Sequence, residues 1–195
     1  MASWLNKLFM IQIRVHGRGG QGVVTAAELI ALSAFNDGLY AQAFPSFGVE
    51  RSGAPIQAFA RLNQEPIITR EQVYYPNILI VQDDSLLLEK EVLLGINAST
   101  RLIINSQKNA VALSAALKGK IKAANIISSP ATDIALRILG KNLVNTVILG
   151  TLARATGIIT LKSLLKAVSE KFQDKEESII KKNHAAVSAA YTYVP

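Results

Sequence analysis

Gly17-Arg18-Gly19-Gly20-Gln21-Gly22 stands between an apolar, strand-like stretch, Ile11-Gln12-Ile13-Arg14-Val15-His16, and a helix-like stretch that begins at Val23. Strand, tight turn and helix in that order form a cradle for an anionic group. Glycines permit left-handed backbone and close approach, and the unpaired amides of the helix's first turn point at whatever fills the turn. Gly17, Gly19 and Gly22 also satisfy the G-x-G-x-x-G spacing of dinucleotide-binding folds. A nicotinamide cofactor needs, in addition, an acidic side chain about 20 residues further on, at the end of the second strand. That strand is expected over Leu39-Tyr40-Ala41-Gln42-Ala43-Phe44; Asp37 precedes it in the Asn36-Asp37-Gly38 turn, and Glu50 follows several residues after it. Neither stands where the ribose hydroxyls would be. No Gly-Lys-Ser or Gly-Lys-Thr follows the glycines, so a nucleoside-triphosphate phosphate loop is excluded. Two readings stay open: a ligand cradle, and a turn that only lets the first helix pack on the first strand.

Composition narrows the class. A chain of 195 residues suffices for one well-buried core. It has no cysteine, hence no disulfide, no cysteine-ligated iron-sulfur cluster and no thiolate nucleophile. Its two histidines, His16 and His184, offer no metal-ligand spacing, and His16 at a strand end reads as packing or hydrogen bonding. The net charge of +7 and a pI near 9.7 favour an acidic or phosphorylated partner. No acid occurs between Val92 and Thr132, where Arg101, Lys108, Lys118, Lys120 and Lys122 lie. No aromatic residue is interleaved with those cations, so nucleic-acid binding is not expected, and the stretch reads as a solvated basic face or a docking surface.

Half of the residues are hydrophobic, mean hydropathy is +0.27, and only 18% are charged. The most apolar segment, Leu143 to Leu161, is interrupted by Asn145, Thr146, Thr151, Arg154 and Thr156, which fits a buried helix and not a membrane span. Met1 to Met10 lacks the pattern of a secretory signal. The surplus of apolar surface points to contacts with other subunits.

Along the chain, a first helix is expected from Val23 to Asn36. Ala54 to Leu62 reads as a strand that Asn63-Gln64 turns back into Ile67-Ile68 as a hairpin, and 78–81, 102–104 and 126–127 carry the signature of buried parallel strands. Ser85 to Lys90 is expected to turn helical. The C-terminal third reads as helices: one from Thr132-Asp133 to Gly140, one from Thr146 to Thr156 closed by Gly157, and one capped by Thr160 with an apolar stripe of Leu161, Leu164, Leu165, Val168 and Phe172. A last helix, from Lys175 to Tyr191, is expected to pack through Ile179, Ile180, Ala186 and Val187. The fold class is therefore α/β: a single Rossmann-like domain over 11–195 with a largely parallel sheet, a β-hairpin element and a C-terminal helical layer, preceded by an N-terminal extension over 1–10.

Three segments carry a resemblance. Ile13-Arg14-Val15-His16-Gly17-Arg18-Gly19-Gly20-Gln21-Gly22-Val23-Val24-Thr25-Ala26-Ala27-Glu28 resembles the opening of the gamma subunit of 2-oxoacid:ferredoxin oxidoreductases, and Tyr40-Ala41-Gln42-Ala43-Phe44-Pro45-Ser46-Phe47-Gly48-Val49-Glu50-Arg51-Ser52-Gly53-Ala54-Pro55 resembles its second hallmark. Asn145 to Gly157, with Asn183, is a looser match. The Glu-Arg-x-Gly-Ala-Pro form is most similar to the pyruvate enzymes, the pyruvate synthases, with Ser52 in place of a usual second arginine.

The resemblance implies an oxidoreductase complex, cytoplasmic, that decarboxylates a 2-oxoacid on thiamine diphosphate with Mg, passes electrons through [4Fe-4S] clusters to ferredoxin or flavodoxin, and forms an acyl-coenzyme A. Thiamine diphosphate and clusters would reside in the alpha, beta and delta-type partner subunits or their fused equivalents. This chain would hold no cofactor alone, would have no catalytic residue and no metal, and would face coenzyme A (CoA) at a shared site. Gly19, Gly20 and Gly22 would give backbone access there, Gln21 a hydrogen bond at the turn and Thr25 a hydroxyl one helical turn in. Arg51 would bind phosphate, Glu50 would orient Arg51, pair across a subunit interface or touch the ligand, and Ser52 and Gly53 would complete that loop. The alternative is a stand-alone Rossmann-type nucleotide-binding domain or dehydrogenase.

Overall fold

The computed structural model describes residues 10–46 and 53–193; the N-terminal extension expected over 1–10 falls almost wholly outside them. Six strands form one sheet: β1 (Ile11–Arg18), β2 (Tyr40–Pro45), β3 (Pro55–Asn63), β4 (Ile78–Val81), β5 (Arg101–Asn105) and β6 (Ile126–Ser129), in the order β2-β3-β1-β4-β5-β6. β1, β4, β5 and β6 pair in parallel, and β3 lies antiparallel between β1 and β2. The expected, largely parallel sheet is thus present with one strand reversed. The hairpin element joins β2 to β3, not β3 to Ile67-Ile68. With Tyr40 to Pro45 paired along one side of β3 and β1 along the other, β3 has no free edge for a return strand. Ile68 is instead exposed, and the Ile67 carbonyl accepts a hydrogen bond from the Gln42 side chain.

Strict alternation sorts the strand residues into two cores. Ile13, Val15, Ile78, Ile80 and Ile103 face a large cluster built with α1 (Val23–Asn36), α3 (Ala131–Leu139), α4 (Val144–Thr156), α5 (Leu161–Lys171) and α6 (Glu177–Thr192). Leu79, Val81, Leu102 and Ile104 face a smaller one with Leu86 and Val92 of two short 3₁₀ turns, and with Leu113 and Leu117 at α2 (Ala110–Ala116). Sequence periodicity did not reveal α2. Its seven residues, mostly alanine, carry one buried apolar side chain, too few for a stripe.

The helix ends follow local chemistry. Gly140 and Gly157 close α3 and α4, and the Thr160 hydroxyl caps α5 by accepting from the Ser163 amide. Asp37 ties the end of α1 to the start of α5, accepting from the Thr160 amide and hydroxyl at 2.7 Å each and from the Ser163 hydroxyl at 2.6 Å. α6 packs through Asn183, Ala186, Val187 and Ala190, while Ile179, expected on that face, is 40% exposed. Its first turn, 177–179, is exposed.

The smaller-core side of β1 and β3 carries buried Arg14, His16, Phe59 and Arg61 in place of aliphatic residues. Irregular chain, not a helix, covers this side, and its carbonyls need donors. Arg14 donates to the carbonyls of Val73, Tyr74, Val92 and Leu94, and Arg61 to those of Glu71 and Gln72. An arginine carries five donors and no acceptor, so each can hold several loop carbonyls at once. Burial lowers the Arg14 pKa to about 10, which leaves it charged at neutral pH.

α4 crosses α6 at Gly150, where an added Cβ would strike the Val187 carbonyl. Gly150→Ala is expected to lower stability by about 1–3 kcal/mol through overpacking, measured by denaturant unfolding. An unchanged midpoint would show that the helices can separate at no cost.

Candidate functional site

After β1 the chain leaves the sheet on the larger-core side through α1, and after β4 and β5 it leaves on the other. Where neighbouring parallel strands send their connections to opposite faces, a crevice opens at their carboxyl ends. Here it is a cavity of about 400 Å³ lined by Gln21, Gln82, Asp83, Asn105, Thr132 and neighbouring polar residues.

The glycine turn forms one wall. The Gln21 side chain folds back so that Oε1 accepts from the Arg18 amide at 2.7 Å, while the Gln21 amide donates to the Arg18 carbonyl at 2.9 Å. Gly22 is left-handed (φ 68°) and precedes α1 as a cap without a side chain, and no acid stands in the first helical turn. No side chain caps the amides there. The hydroxyl of Thr25, half-buried in that turn, has no hydrogen-bond partner among the described residues.

The loop before β3 joins this turn directly. The Gly19 amide donates to the Ala54 carbonyl at 2.9 Å and the Gly53 amide to the Gly19 carbonyl at 3.2 Å. Of the predicted site residues, Gly19, Gly20, Gln21, Gly22 and Gly53 are therefore brought together. Glu50, Arg51 and Ser52 lie outside the described residues, immediately before Gly53 in the chain.

Arg18 and Asp83 were not among the residues expected at the site. Arg18 Nε meets an Asp83 carboxylate oxygen at 2.9 Å, one terminal nitrogen donates to the Ser85 hydroxyl at 2.7 Å, and the other to the Gly53 carbonyl at 3.3 Å. One side chain thus links the glycine turn, the end of β4 and the loop before β3. Burial acts to raise the Asp83 pKa, but hydrogen bonds from the Ser85 hydroxyl and amide, together with Arg18, outweigh it and hold the carboxyl below its ordinary value. The sequence signal was an arginine inside the glycine run and an acid pair after a buried strand; their meeting depends on β1 and β4 being neighbours.

Gln82 is 1% exposed, and neither its amide oxygen nor its nitrogen has a partner among the described residues. Opposite it, Asn105 donates to the Gln82 carbonyl at 3.0 Å and the Thr132 hydroxyl at 2.9 Å. The crevice acids are engaged: Asp84 with Ser106 and Lys108, Asp133 with Gln107. The third resembling segment also reaches the turn, for a Cβ on Gly22 would collide with the Asn145 side chain. Beside it the Thr146 hydroxyl donates to Asn183 Oδ1 at 3.0 Å. No cluster of three or more metal-ligating side chains occurs among the described residues. His16 is 4% exposed, and burial first, then the nearby Arg14 charge, push its pKa down to about 3. It is neutral at pH 7.

Comparison with known proteins bears on this geometry. A family model described as pyruvate ferredoxin/flavodoxin oxidoreductase matches residues 12–193. The pyruvate/ketoisovalerate oxidoreductases common subunit gamma of Pyrococcus furiosus is 43% identical over 182 residues, which span 93% of this chain and 96% of that protein. The crystal structure of pyruvate oxidoreductase subunit PORC from Thermotoga maritima matches with a TM-score of 0.80 and 33% identity, over 97% of this chain and 98% of that one. The 2-oxoglutarate:ferredoxin oxidoreductase of Magnetococcus marinus, solved with 2-oxoglutarate, coenzyme A and succinyl-CoA bound, shares the fold: TM-score 0.74 and 18% identity over 97% of this chain and 32% of that one.

Gly22→Ala, which combines a left-handed backbone with the Asn145 collision, is expected to cost at least about 2 kcal/mol in denaturant unfolding. For His16, a folded-state pKa below the unfolded value near 6.5 means that the folded chain binds fewer protons in acid. Stability is retained above pH 6.5 and falls as pH drops toward 3, by about 2 kcal/mol at pH 5. His16→Gln should flatten that slope in unfolding titrations between pH 6.5 and 4.5, and an unaltered slope would assign the acid sensitivity to other groups.

Proposed function

Because this chain belongs to the pyruvate ferredoxin/flavodoxin oxidoreductase family, we propose that it acts as the gamma-type subunit whose glycine turn and Glu50–Gly53 loop form one wall of a CoA site completed by partner subunits. The observation that carries this reading is the pair of backbone hydrogen bonds that clasp Gly53 and Ala54 to Gly19, since they join the two segments into one surface. CoA presents phosphates, hydroxyls and amides, and this surface has a complement for each. The uncapped first turn of α1 and the Arg51 guanidinium suit phosphate oxygens. The crevice beyond Gln21 is walled by Asp83, Asp84 and Asp133, which disfavours a second anion there. Gln82, buried with both amide atoms unpaired, has hydrogen-bonding capacity to offer there once it turns toward the crevice.

The carboxylate that β4 brings beside the turn is held by Arg18 and Ser85, and Asp37 is held by α5. That engagement disfavours a nicotinamide site. With no cysteine, the chain leaves iron-sulfur clusters, along with thiamine diphosphate and its Mg, to alpha, beta and delta-type partners. Those groups supply decarboxylation and electron transfer to ferredoxin or flavodoxin, and this chain's residues bind and orient the acyl acceptor. The P. furiosus relative is named as common to pyruvate and ketoisovalerate oxidoreductases, which supports choice of the 2-oxoacid by other subunits. No helix among the described residues is long and apolar enough to cross a membrane.

In the assembled enzyme, Arg51→Ala is expected to raise the KM for CoA about tenfold or more, the loss of a charged hydrogen-bond pair, with little change in the KM for the oxoacid. An effect on the oxoacid alone would remove the phosphate role. The isolated chain should neither decarboxylate pyruvate with ferredoxin nor bind NAD saturably, and either activity would overturn the accessory-subunit reading.

A further inference from the structure

Gln82 follows β4 and lines the crevice, yet it is 1% exposed and neither atom of its side-chain amide has a partner among the described residues. Its backbone is satisfied, since the amide donates to the His16 carbonyl at 2.9 Å and the carbonyl accepts from Asn105 at 3.0 Å. The side chain alone is left over. Every other polar side chain among the described residues that line the crevice already has a hydrogen bond or an ion pair, so the unused capacity gathers at one residue. An unpaired buried amide is costly to a fold, and one that persists calls for a physical reason. It stands at the foot of the glycine turn: a Cβ added to Gly17 would meet Gln82 Oε1 and Gln21 Oε1 at 3.0 Å each.

We infer that Gln82 reads the adenine base of CoA, which enters the crevice and sets its 6-amino group and an adjacent ring nitrogen against the two amide atoms. The inference rests on the CoA-wall reading above, which leaves open what part of the ligand the crevice takes. Pattern selects the base. A glutamine amide presents a donor and an acceptor side by side, and adenine returns an acceptor and a donor side by side, the bidentate pairing through which glutamine reads adenine in DNA. The pantetheine arm of CoA also carries amides, but each is a trans secondary amide whose N–H and C=O point to opposite sides, so it cannot pair with both atoms of Gln82. Charge agrees. Asp83, Asp84 and Asp133 repel phosphate and admit a neutral base, while the uncapped first turn of α1 at the glycine wall suits the phosphates on the adjoining ribose. Place agrees too, because ligands of open α/β sheets bind at such a crevice, and its volume of about 400 Å³ lies in the range of small-molecule sites. Contact follows when the Gln82 side chain swings outward from Gly17 about its own torsions.

The test uses the assembled enzyme, with adenosine 3′,5′-bisphosphate and phosphopantetheine as inhibitors that compete with CoA. Gln82→Met keeps the length of the side chain and removes both hydrogen-bonding atoms. It is expected to raise the KM for CoA and the inhibition constant of the adenosine bisphosphate about tenfold, and to leave that of phosphopantetheine unchanged. CoA carrying ethenoadenine, which has no 6-amino hydrogen, should bind the wild type about tenfold more weakly than CoA does, and the variant should bind the two alike. The variant loses no internal partner, so its thermal midpoint should equal or exceed that of the wild type. A rise for phosphopantetheine alone would move Gln82 to the pantetheine arm and overturn the base assignment. Equal binding of CoA and its ethenoadenine form by the wild type, a comparison that needs no variant, would overturn it as well. If Arg51→Ala raises the KM for CoA and Gln82→Met does not, this inference fails and the CoA wall stands; if neither raises it, the wall reading itself fails.

Discussion

The left-handed turn at Gly22 is the constraint on which the other elements depend. β1 lies inside the sheet with a strand on each side, and its chain must leave abruptly so that α1 can lie back over Ile13 and Val15. A side chain at Gly22 is opposed twice, by backbone conformation and by Asn145 at the start of α4. The absence of that side chain lets three segments distant in sequence meet: the turn, α4, and through Thr146 and Asn183, α6. It also leaves the first amides of α1 uncapped. Packing therefore draws on one residue's missing Cβ, which supports the packing reading that spacing left open beside the proposed ligand cradle.

The two faces of the sheet solve burial differently. On the helical side, aliphatic residues from the strands meet aliphatic stripes, and each fully buried Ile or Leu contributes about 1.5–3 kcal/mol. On the other side, β1 and β3 meet loops, and the currency of contact is the hydrogen bond: guanidinium donors satisfy carbonyls that no helix or strand would satisfy. Phe44 adds its ring beneath the Arg61 guanidinium, 5.1 Å from its centroid. A roof of this kind holds its shape without sealing its surface. That explains how a packed interior can coexist with exposed Tyr74, Tyr75 and Leu94 above it.

At the crevice, order comes from polar links between segments. Arg18 binds Asp83, Ser85 and Gly53, so the end of β4 and the loop before β3 are positioned from within the glycine turn. The Asp83 carboxyl, held below its ordinary value, is ionised at physiological pH, and its lowered pKa extends the link to more acidic conditions. The arrangement suits the orienting surface proposed for this subunit.

Local pattern determined much of the fold. The apolar run at 78–81 became β4 with those bounds, Gly140 and Gly157 stopped their helices, and Thr160 capped α5, because each outcome depends on neighbours a few residues away. The glycine turn and its strand–helix setting were likewise legible. Pairings were not. Ile67-Ile68 is as apolar as a strand, yet β3's edges were already filled by β1 and β2; Ile179 fits a helical stripe, yet it stands 40% exposed. Arg14 and Arg61 read as polar interruptions in alternating strands until the loops they hold are seen. Asp83 became Arg18's partner only because β4 lies beside β1. Sequence fixes which residues can bend, cap or bury, since those are properties of the local chain; which groups meet across the sheet is decided by strand order and helix crossing, which no single segment encodes.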